Sequence, residues 1–376
     1  MEYKRIVAKF GTSLLTAGTG RLDLHIMASL VEQAAMLHKQ GKELVIVSSG
    51  AVAAGKQKLG SELVRNLKER KDIPAKQMLA AIGQGRLMNA YEQLFHWHDI
   101  TVAQALLTRS VLSEHAGYIN ARNTLLGLIE LGVITIINEN DVVEAKELEG
   151  VSFGDNDNLS AMVANLVDAD LLILLTNIDG LYTADPHADP QARLISRVDT
   201  IEEVEALAGG PGAQGTGGMA TKLEAARLAT ASGAAAVIAN GFVHNILLQI
   251  ADGTAPGEAP GTFFPPRRDK MESRKRWLAS GLDARGQITV DDGAATALKR
   301  NTSLLAAGVK GVAGTFERGA IVYIADSSGR RLACGVTNYS SSEVDKIKGV
   351  KSDHISATLG YEYGSEVVHR SNLALL

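Results

Sequence analysis

The chain has 376 residues, of which 45% are hydrophobic and 21% are charged. This is the composition of an ordinary globular protein, and the length predicts two or three domains of about 100–200 residues each. The formal net charge of −4 gives no overall attraction to nucleic acid or to an anionic membrane. With Cys334 as its single cysteine, the chain has neither an internal disulfide framework nor a cysteine metal site.

The N-terminal residues carry charges where a secretory signal peptide needs an apolar core. The longest apolar run, residues 171–175, is far shorter than a membrane span requires. Together with the single cysteine, these features predict a protein of the reducing cytoplasm that has no membrane partner.

Up to about residue 260, short apolar runs alternate with amphipathic segments. Six runs have the composition of β-strands: residues 5–10, 43–49, 100–107, 133–138, 170–176 and 235–240. Each run is continuously apolar, as expected for strands that are buried on both faces of a sheet. Residues 24–40 are typical of an amphipathic helix, whose apolar face holds Ile26, Leu30, Ala34 and Leu37. The alternation predicts an α/β fold with three layers, an open and mainly parallel sheet between helices.

The composition then changes. Residues 254–277 hold four of the eight prolines and end in a basic run, which is typical of a linker, and residues 261–264 are the candidate for a last edge strand. Beyond residue 284, short alternating strands are separated by Gly, Asp and Ser turns. The predicted organisation is a first domain over residues 1–266, a linker over 267–283, a small β-rich domain over 284–368 and a tail over 369–376.

Polar residues stand where the predicted strands end. In chain order they are Lys9, Gly11, Thr12 and Ser13; Ser48, Ser49 and Gly50; Asn138, Glu139, Asn140 and Asp141; Thr176 and Asn177; and Asn240 and Gly241. In a parallel α/β sheet, ligands bind beyond the carboxyl ends of the strands. We therefore expect these residues to line one site.

Two of these strand ends have simpler interpretations. Lys9 is a candidate for contact with an anion, because Gly11 lets the backbone approach a ligand, but a salt-bridged lysine beside a tight turn is the alternative. Ser48 and Ser49 are candidates for the nucleophile of a Ser-His-Asp triad. However, no G-x-S-x-G sequence surrounds them, and none of the nine histidines follows a predicted strand.

An acidic cluster precedes a segment of helical periodicity. Asp155 and Asp157 flank Asn156, and the segment's apolar face holds Leu159, Met162, Val163 and Leu166. An N-cap in a solvated loop explains one of the three polar residues but not all of them. An EF-hand is excluded, because its glycine and its distant glutamate are missing. Two carboxylates here can bind an ammonium group or orient cationic lysines.

A glycine-rich stretch, residues 209–218, precedes a helix that is predicted to begin near Met219. The N–H groups of such a loop can bind phosphate oxygens at the positive end of the helix. Lys222 is predicted to lie in the first turn, where a cation is unfavourable unless an anion is bound. A mobile surface loop is the alternative.

Dinucleotide binding is a further alternative for this stretch, since Gly215, Gly217 and Ala220 satisfy G-x-G-x-x-A. No strand leads directly into it, and the next strand ends in Asn240 where an acidic residue is expected. The residues thus favour phosphoryl transfer, which requires positioning and charge neutralisation more than covalent chemistry. An acceptor that is already an anion needs no general base, and Mg²⁺ is expected to bridge the phosphates. The residues alone do not identify the acceptor.

The motifs KFGTSLL, VIVSSGAVAAG, INENDVV, FGDNDNLSA, LLTNIDGLYTADP and GTGGMATK follow one another along the chain. In this order they resemble the amino acid kinase family, and SRKRWL, GQITVDDGA and LGYEYGSEVVHR resemble an appended PUA domain. That combination is similar to the glutamate 5-kinase branch. The resemblance implies the amino acid kinase fold followed by a small β-rich PUA barrel. It also implies phosphorylation of the side-chain carboxylate of L-glutamate by ATP, the first step of proline biosynthesis.

The resemblance also implies roles for individual residues. Lys9 and Lys222 would contact the transferring phosphoryl group, and Asp157 would hold both lysines. ATP binding is assigned to Lys9, Thr176, Asn177, Thr216, Gly217, Gly218, Met219, Ala220, Thr221 and Lys222. L-Glutamate binding is assigned to Ser49, Asp141 and Asn156, with Asn138 and Asp155 close by. No residue is assigned as a metal ligand, since Mg²⁺ would be held mainly through the ATP phosphates.

Members of the family are commonly homotetramers or homodimers and are inhibited by proline at an overlapping glutamate site. The next enzyme of the pathway, glutamyl phosphate reductase, is a further expected partner. The sequence departs from the family pattern at Asn177, where Asp is frequent, and at Ala220, where Ser is frequent. Both positions bear on nucleotide affinity rather than on the reaction.

Two other functions stay open at this point. PUA domains elsewhere accompany RNA-modifying enzymes, but the basic run over residues 267–276 is explained equally well as a linker, and RNA is not an expected partner. The second alternative keeps the fold and changes the acceptor, for example to N-acetylglutamate. Free glutamate carries an ammonium group that needs anionic partners, and Asp141 and Asp155 are the candidates.

Overall fold

The computed structural model describes residues 3–59, 73–143, 156–186, 188–208, 217–252, 260–267, 286–300 and 302–376. The chain divides into two compact units. The first comprises Met1–Leu112 and Arg122–Arg268, and the second comprises Ser113–Ala121 and Asp269–Leu376. Except for Arg267, the predicted linker lies outside the described residues. No helix in the described ranges is long and apolar enough to cross a membrane.

A seven-stranded sheet forms the centre of the first unit. Its strands are β1 (Arg5–Phe10), β2 (Glu43–Ser48), β3 (Val102–Leu107), β4 (Ile134–Glu139), β5 (Leu171–Thr176), β6 (Ala235–Asn240) and β7 (Thr262–Phe264). The order across the sheet is β3-β4-β2-β1-β5-β6-β7, and β7 runs antiparallel to β6 while the other pairs are parallel. All six predicted runs are strands, and β7 is the edge strand expected within residues 261–264.

The strands differ in burial according to their place in the sheet. β1 and β5 are neighbours at its centre and are almost fully buried. β3 is an edge strand, and its Gln104 and Leu106 are exposed. The expectation that every run is buried on both faces is therefore wrong for β3. The polar Gln104 within this run is the signal that distinguishes it from the central strands.

The helices of the first unit alternate with the strands. They are α1 (Thr12–Leu15), α2 (Leu24–Lys39), α3 (Ala51–Leu59), α4 (Ile73–His96), α5 (Arg109–Ser113), α6 (His115–Glu130), α7 (Asn156–Leu166), α8 (Gly217–Ala231) and α9 (Ile246–Ala251), of which α5 ends and α6 begins in the second unit. Short 3₁₀ turns cover Ile201–Glu203 and Glu205–Ala208. α2 begins as its sequence predicts, because the Asp23 side chain caps its first N–H groups. The face predicted for α2 packs into the main core, with Leu30, Ala34 and Leu37 buried.

Two glycines allow α3 and α4 to cross at very short range. A Cβ atom at Gly83 would lie 1.8 Å from the carbonyl oxygen of Ala51, and one at Gly55 would lie 2.0 Å from that of Leu79. No side chain fits at such distances, so glycine is required on both helices. The crossing fixes α4 against the helix that follows β2.

The second unit has a five-stranded sheet in the order β10-β8-β11-β12-β14 and a two-stranded pair, β13-β9. The strands are β8 (Gly286–Val290), β9 (Leu304–Leu305), β10 (Val309–Gly314), β11 (Ile321–Ala325), β12 (Arg331–Val336), β13 (Glu366–Val368) and β14 (Leu373–Leu375). The helices are α10 (Asp292–Leu298), α11 (Ser341–Ile347) and α12 (Ile355–Leu359). β14 falls within residues 369–376 and pairs with β12.

Candidate active site

A buried ion-pair centre lies where β1 ends. Neighbouring residues of β1 point to opposite faces of the sheet. Ala8 and Phe10 face the core packed by α2 and α4, so Lys9 faces the other side. There its Nζ pairs with Oδ1 of Asp157, in the first turn of α7. Lys222 of α8 places its Nζ 3.1 Å from Oδ2 of the same carboxylate.

The centre is almost sealed from water. The exposed fractions of the side chains are 8% for Lys9, 2% for Asp157 and 11% for Lys222. Burial by itself raises the pKa of the Asp157 carboxyl, but the charges and hydrogen bonds of the two lysines outweigh that effect, so the pKa lies below its ordinary value. Two ammonium groups thus face one carboxylate, and the centre favours a further anion.

The position of Lys222 differs from the prediction. α8 begins at Gly217, because the glycine-rich stretch continues into the helix, and Lys222 therefore lies in the second turn. Its Nζ also donates to the carbonyl oxygen of Gly218, 2.9 Å away. The hydroxyl of Thr221 lies 3.0 Å from Oδ2 of Asp157. The second turn of α8 is thereby tied to the carboxylate.

Glycines border both ammonium groups. A Cβ atom at Gly11 would lie 3.6 Å from the Lys9 Nζ, and one at Gly218 would lie 3.6 Å from the Lys222 Nζ. Because neither residue has a side chain, no Cβ atom contacts the ammonium groups at these two positions. Two cations and the N-terminus of α8 favour an anion such as a phosphate group beside these glycines. Among the described residues, no group of three or more His, Cys, Asp or Glu residues is arranged to hold a metal ion.

A second cluster, of amides and hydroxyls, adjoins the ion-pair centre. The Nδ2 group of Asn156, the residue before Asp157, lies 2.9 Å from the hydroxyl of Ser49 and 3.0 Å from Oδ1 of Asn138. Asn138 and Asn156 are buried. Asp141 is half-buried in the turn that follows β4. The carboxyl ends of β2 and β4 therefore meet the start of α7, as expected from their sequences.

The predicted nucleotide residues lie at the end of β5 and the start of α8. Thr176 is buried and its hydroxyl donates to Oδ1 of Asn177, which is exposed. On α8, Met219 is buried and Ala220 is exposed. Two predicted site residues, Asp155 and Thr216, and most of the glycine-rich stretch lie outside the described residues. Asp179, which accepts a hydrogen bond of 2.9 Å from the Asn240 side chain, was not among the predicted residues.

Two residues of α4 that reach the site were not predicted either. Gln84 accepts a hydrogen bond of 2.8 Å from Asn138, and the hydroxyl of Tyr91 lies 2.7 Å from that of Ser48. Both lie within a helix, whereas the sequence predicts a site at the strand ends. The signal available in the sequence is Gly83 inside a helical pattern, which indicates close helix packing directly beside Gln84.

Comparisons with known proteins identify the family of the chain. The model of the amino acid kinase family matches residues 4–240, and that of the PUA domain matches residues 286–359. A glutamate 5-kinase of Dehalococcoides mccartyi (strain CBDB1) is 58% identical over 100% of this chain and 99% of its own. Those of Herpetosiphon aurantiacus and Vibrio vulnificus are 48% and 44% identical, each over 99% of this chain and over 98% and 96% of their own lengths.

Among solved structures, the UMP kinase from Bacillus anthracis matches with a TM-score of 0.50 at 16% identity, over 71% of this chain and 98% of its own. This likeness shows the fold alone. The predicted fold class and the resemblance to glutamate 5-kinases are both confirmed. The bounds predicted for the domains and the roles predicted for single residues stay predictions. The matches over most of its length show that the chain belongs to the amino acid kinase family.

Proposed function

We propose that this chain transfers the γ-phosphoryl group of ATP to the side-chain carboxylate of L-glutamate, giving L-glutamyl 5-phosphate and ADP, as the first step of proline biosynthesis. The names of the relatives at 44–58% identity support this reaction. The observation that carries the proposal is the buried centre in which Lys9 and Lys222 share the carboxylate of Asp157. Such a centre suits an anionic phosphoryl group between two anionic reactants.

Each residue of the centre has a separate task in this reaction. Lys9 and Lys222 neutralise negative charge on the transferring phosphoryl group, and preformed charges in a dry site do so without reorganisation. Asp157 holds the two ammonium groups at fixed positions. The acceptor carboxylate is already ionised, so no residue has to remove a proton from it. Mg²⁺, held mainly by the ATP phosphates, would add further charge neutralisation.

The two substrates occupy opposite sides of the centre in this proposal. ATP is bound by Lys9, Thr176, Asn177 and the segment from Thr216 to Lys222. L-Glutamate is bound by Ser49, Asp141 and Asn156, with Asn138 and Asp155 near them. The contacts of Asn156 with Ser49 and Asn138 support a common substrate surface on that side. Asp157 follows Asn156 directly, so this surface adjoins the phosphoryl position.

Further parts of the proposal rest on the family resemblance. They are inhibition by proline at a site that overlaps the glutamate site, a homotetrameric or homodimeric assembly, a cytoplasmic location, and glutamyl phosphate reductase as the consumer of the product. RNA is not proposed as a partner. A salt-sensitive, submicromolar affinity for RNA would contradict that last point.

The reaction can be tested by trapping acyl phosphate with hydroxylamine in the presence of ATP and Mg²⁺. L-Glutamate, N-acetylglutamate and L-aspartate are compared as acceptors. We expect hydroxamate from L-glutamate alone, because the site offers partners for a free ammonium group. Hydroxamate from N-acetylglutamate instead would show that N-acetylglutamate, and not L-glutamate, is the acceptor. No hydroxamate from any of the three would refute the proposed substrate class.

The assignment of Asp141 to the substrate ammonium group makes a separate prediction. In Asp141→Asn, the KM for L-glutamate is expected to rise by about tenfold or more, while the KM for ATP changes less than about twofold, because an ion pair with the ammonium group is lost. Steady-state kinetics with each substrate varied in turn measures both values. An equal rise in the two KM values would remove Asp141 from this role.

A further inference from the structure

Three side-chain amides from three elements form a continuous hydrogen-bonded row beside the ion-pair centre. Gln84 of α4 accepts from Asn138 Nδ2 at 2.8 Å, and Asn138 Oδ1 accepts from Asn156 Nδ2 at 3.0 Å. Asn138 ends β4 and Asn156 begins α7. We call Gln84, Asn138 and Asn156 the amide row.

Contacts with backbone groups identify the donor and the acceptor in each hydrogen bond of the amide row. The N–H of Glu139 donates to Asn138 at 2.9 Å, so the atom there must be the oxygen, and Asn138 Nδ2 must face Gln84. The carbonyl oxygen of Ser48 lies 3.2 Å from Asn156 Nδ2 and can only accept. Gln84 therefore has to present its oxygen to Asn138.

The consequence appears at the far end of the amide row. Asn156 Nδ2 donates to Ser48, Ser49 and Asn138. Its Oδ1 takes part in none of these hydrogen bonds. That oxygen is buried and has no hydrogen-bond partner within the described ranges. A buried acceptor without a donor is unfavourable, and a ligand that brings a donor removes the penalty. The ammonium group of a free amino acid is such a donor.

We propose that Gln84 is a positioning residue, which fixes the amide row so that Asn156 Oδ1 is offered to the ammonium group of the amino acid substrate. This inference rests on the proposed function, since it concerns how that substrate is recognised. Gln84 itself makes no contact with the substrate. It acts through Asn138 and Asn156.

The setting of α4 supports a fixed position for Gln84. Gly83, its neighbour, lies at the close crossing with α3, where a Cβ atom would be 1.8 Å from Ala51 O. Two turns further along the helix, the buried Tyr91 is hydrogen-bonded to the hydroxyl of Ser48. The carbonyl oxygen of Ser48 in turn accepts a hydrogen bond from Asn156. The same helix thus supports the amide row at both ends.

The test compares three variants of the full chain with the wild type. Gln84→Leu removes the acceptor oxygen, and Gln84→Glu keeps an acceptor oxygen at the same place. Gln93→Leu is the matched control, because Gln93 is an exposed glutamine on the same helix. The KM for L-glutamate, the KM for ATP and kcat are measured, together with the melting temperature. Glutarate, which lacks the ammonium group, is titrated as a competitive inhibitor.

For Gln84→Leu we expect the KM for L-glutamate to rise about tenfold, as for the loss of one buried hydrogen bond, with kcat and the KM for ATP within about twofold. The inhibition constant of glutarate should stay within about twofold, because glutarate does not use Asn156 Oδ1. Gln84→Glu should restore the KM for L-glutamate to within about threefold of the wild type. Gln93→Leu should change none of these values.

Several results would overturn the positioning role. The first is an unchanged KM for L-glutamate in Gln84→Leu, which would show that Gln84 does not affect substrate binding. The others are an equal rise of this KM in Gln84→Glu and an equally weakened binding of glutarate or ATP in Gln84→Leu, each of which would indicate a packing role alone. If Gln84→Leu melts too low to be assayed, Gln84→Glu decides, since a wild-type KM supports the role and a tenfold rise refutes it. Failure of the proposed function is distinct, because the wild type itself would then form no hydroxamate from L-glutamate.

Discussion

Replacement of Lys222 by methionine is expected to lower kcat by about 100- to 1,000-fold, equivalent to about 3–4 kcal/mol of transition-state stabilisation. Methionine keeps an unbranched apolar side chain but removes the ammonium group that lies 3.1 Å from Asp157 Oδ2. The negative charge on the transferring phosphoryl group is then stabilised by only one of the two lysines. The KM for L-glutamate should change less than about threefold, because the substrate surface around Asn156 is intact.

A control on the same helix separates this effect from a general change of charge. Arg227 is exposed on α8 and pairs with Glu224 at 2.7 Å, so Arg227→Met removes one positive charge away from the centre. Its kcat should equal that of the wild type. Near-normal turnover in Lys222→Met, or an equal loss in Arg227→Met, would remove Lys222 from the mechanism.

Lys222→Met should also fold normally. Asp157 keeps its partner Lys9, so the carboxylate is not left buried without a cation. The melting temperature measured alongside the kinetics should therefore fall by only a few degrees, about what 1 kcal/mol produces in a chain of this size. This combination of a large kinetic loss and a small loss of stability is typical of a residue that acts in the transition state.

Most of the first unit was predictable from sequence because its strands are continuous apolar runs. Such runs predict buried parallel strands, and the carboxyl ends of parallel strands lie at the same edge of the sheet. That rule brings Lys9, Ser49 and Asn138 together without any knowledge of tertiary contacts. The structure places them as expected, with Asn156 hydrogen-bonded to Ser49 and Asn138.

The residues that were missed depend on packing between distant segments. Gln84 and Tyr91 lie far in sequence from their partners Asn138 and Ser48, and their roles follow from the close crossing of α3 and α4. Local sequence patterns do not show which residues of two helices meet at such a crossing. The turn of α8 that holds Lys222 differs from the prediction for another reason, since glycine is a poor helix former and yet Gly217 and Gly218 are helical here.

Replacement of Asp157 by asparagine is expected to have the largest effect on stability, a loss of about 3–5 kcal/mol in the free energy of unfolding. The variant keeps the shape of the side chain but leaves Lys9 and Lys222 buried beside each other without their shared anion. Urea unfolding at neutral pH measures the change. The control is Asp199→Asn, because Asp199 is 65% exposed and pairs with Arg197 at 2.7 Å, and no measurable change is expected there.

The difference in stability between the wild type and Asp157→Asn should depend on pH in a defined way. The pKa of Asp157 in the folded state lies below the ordinary value of 3.8, so the stability that its charge contributes is complete above that value. It is lost as the pH falls through the lowered pKa of the folded state. The difference in unfolding free energy between wild type and Asp157→Asn should therefore be constant from about pH 8 to about pH 5 and should narrow only in stronger acid.

Inorganic phosphate offers a third comparison on the Asp157→Asn variant. Without the carboxylate, the two ammonium groups lack an anion, so phosphate bound beside Gly11 and Gly218 would compensate their charge. Phosphate should then raise the melting temperature of the variant more than that of the wild type, whereas sodium chloride at equal ionic strength should not. If the variant is as stable as the wild type and indifferent to phosphate, Asp157 does not hold the two lysines and the proposed centre is wrong.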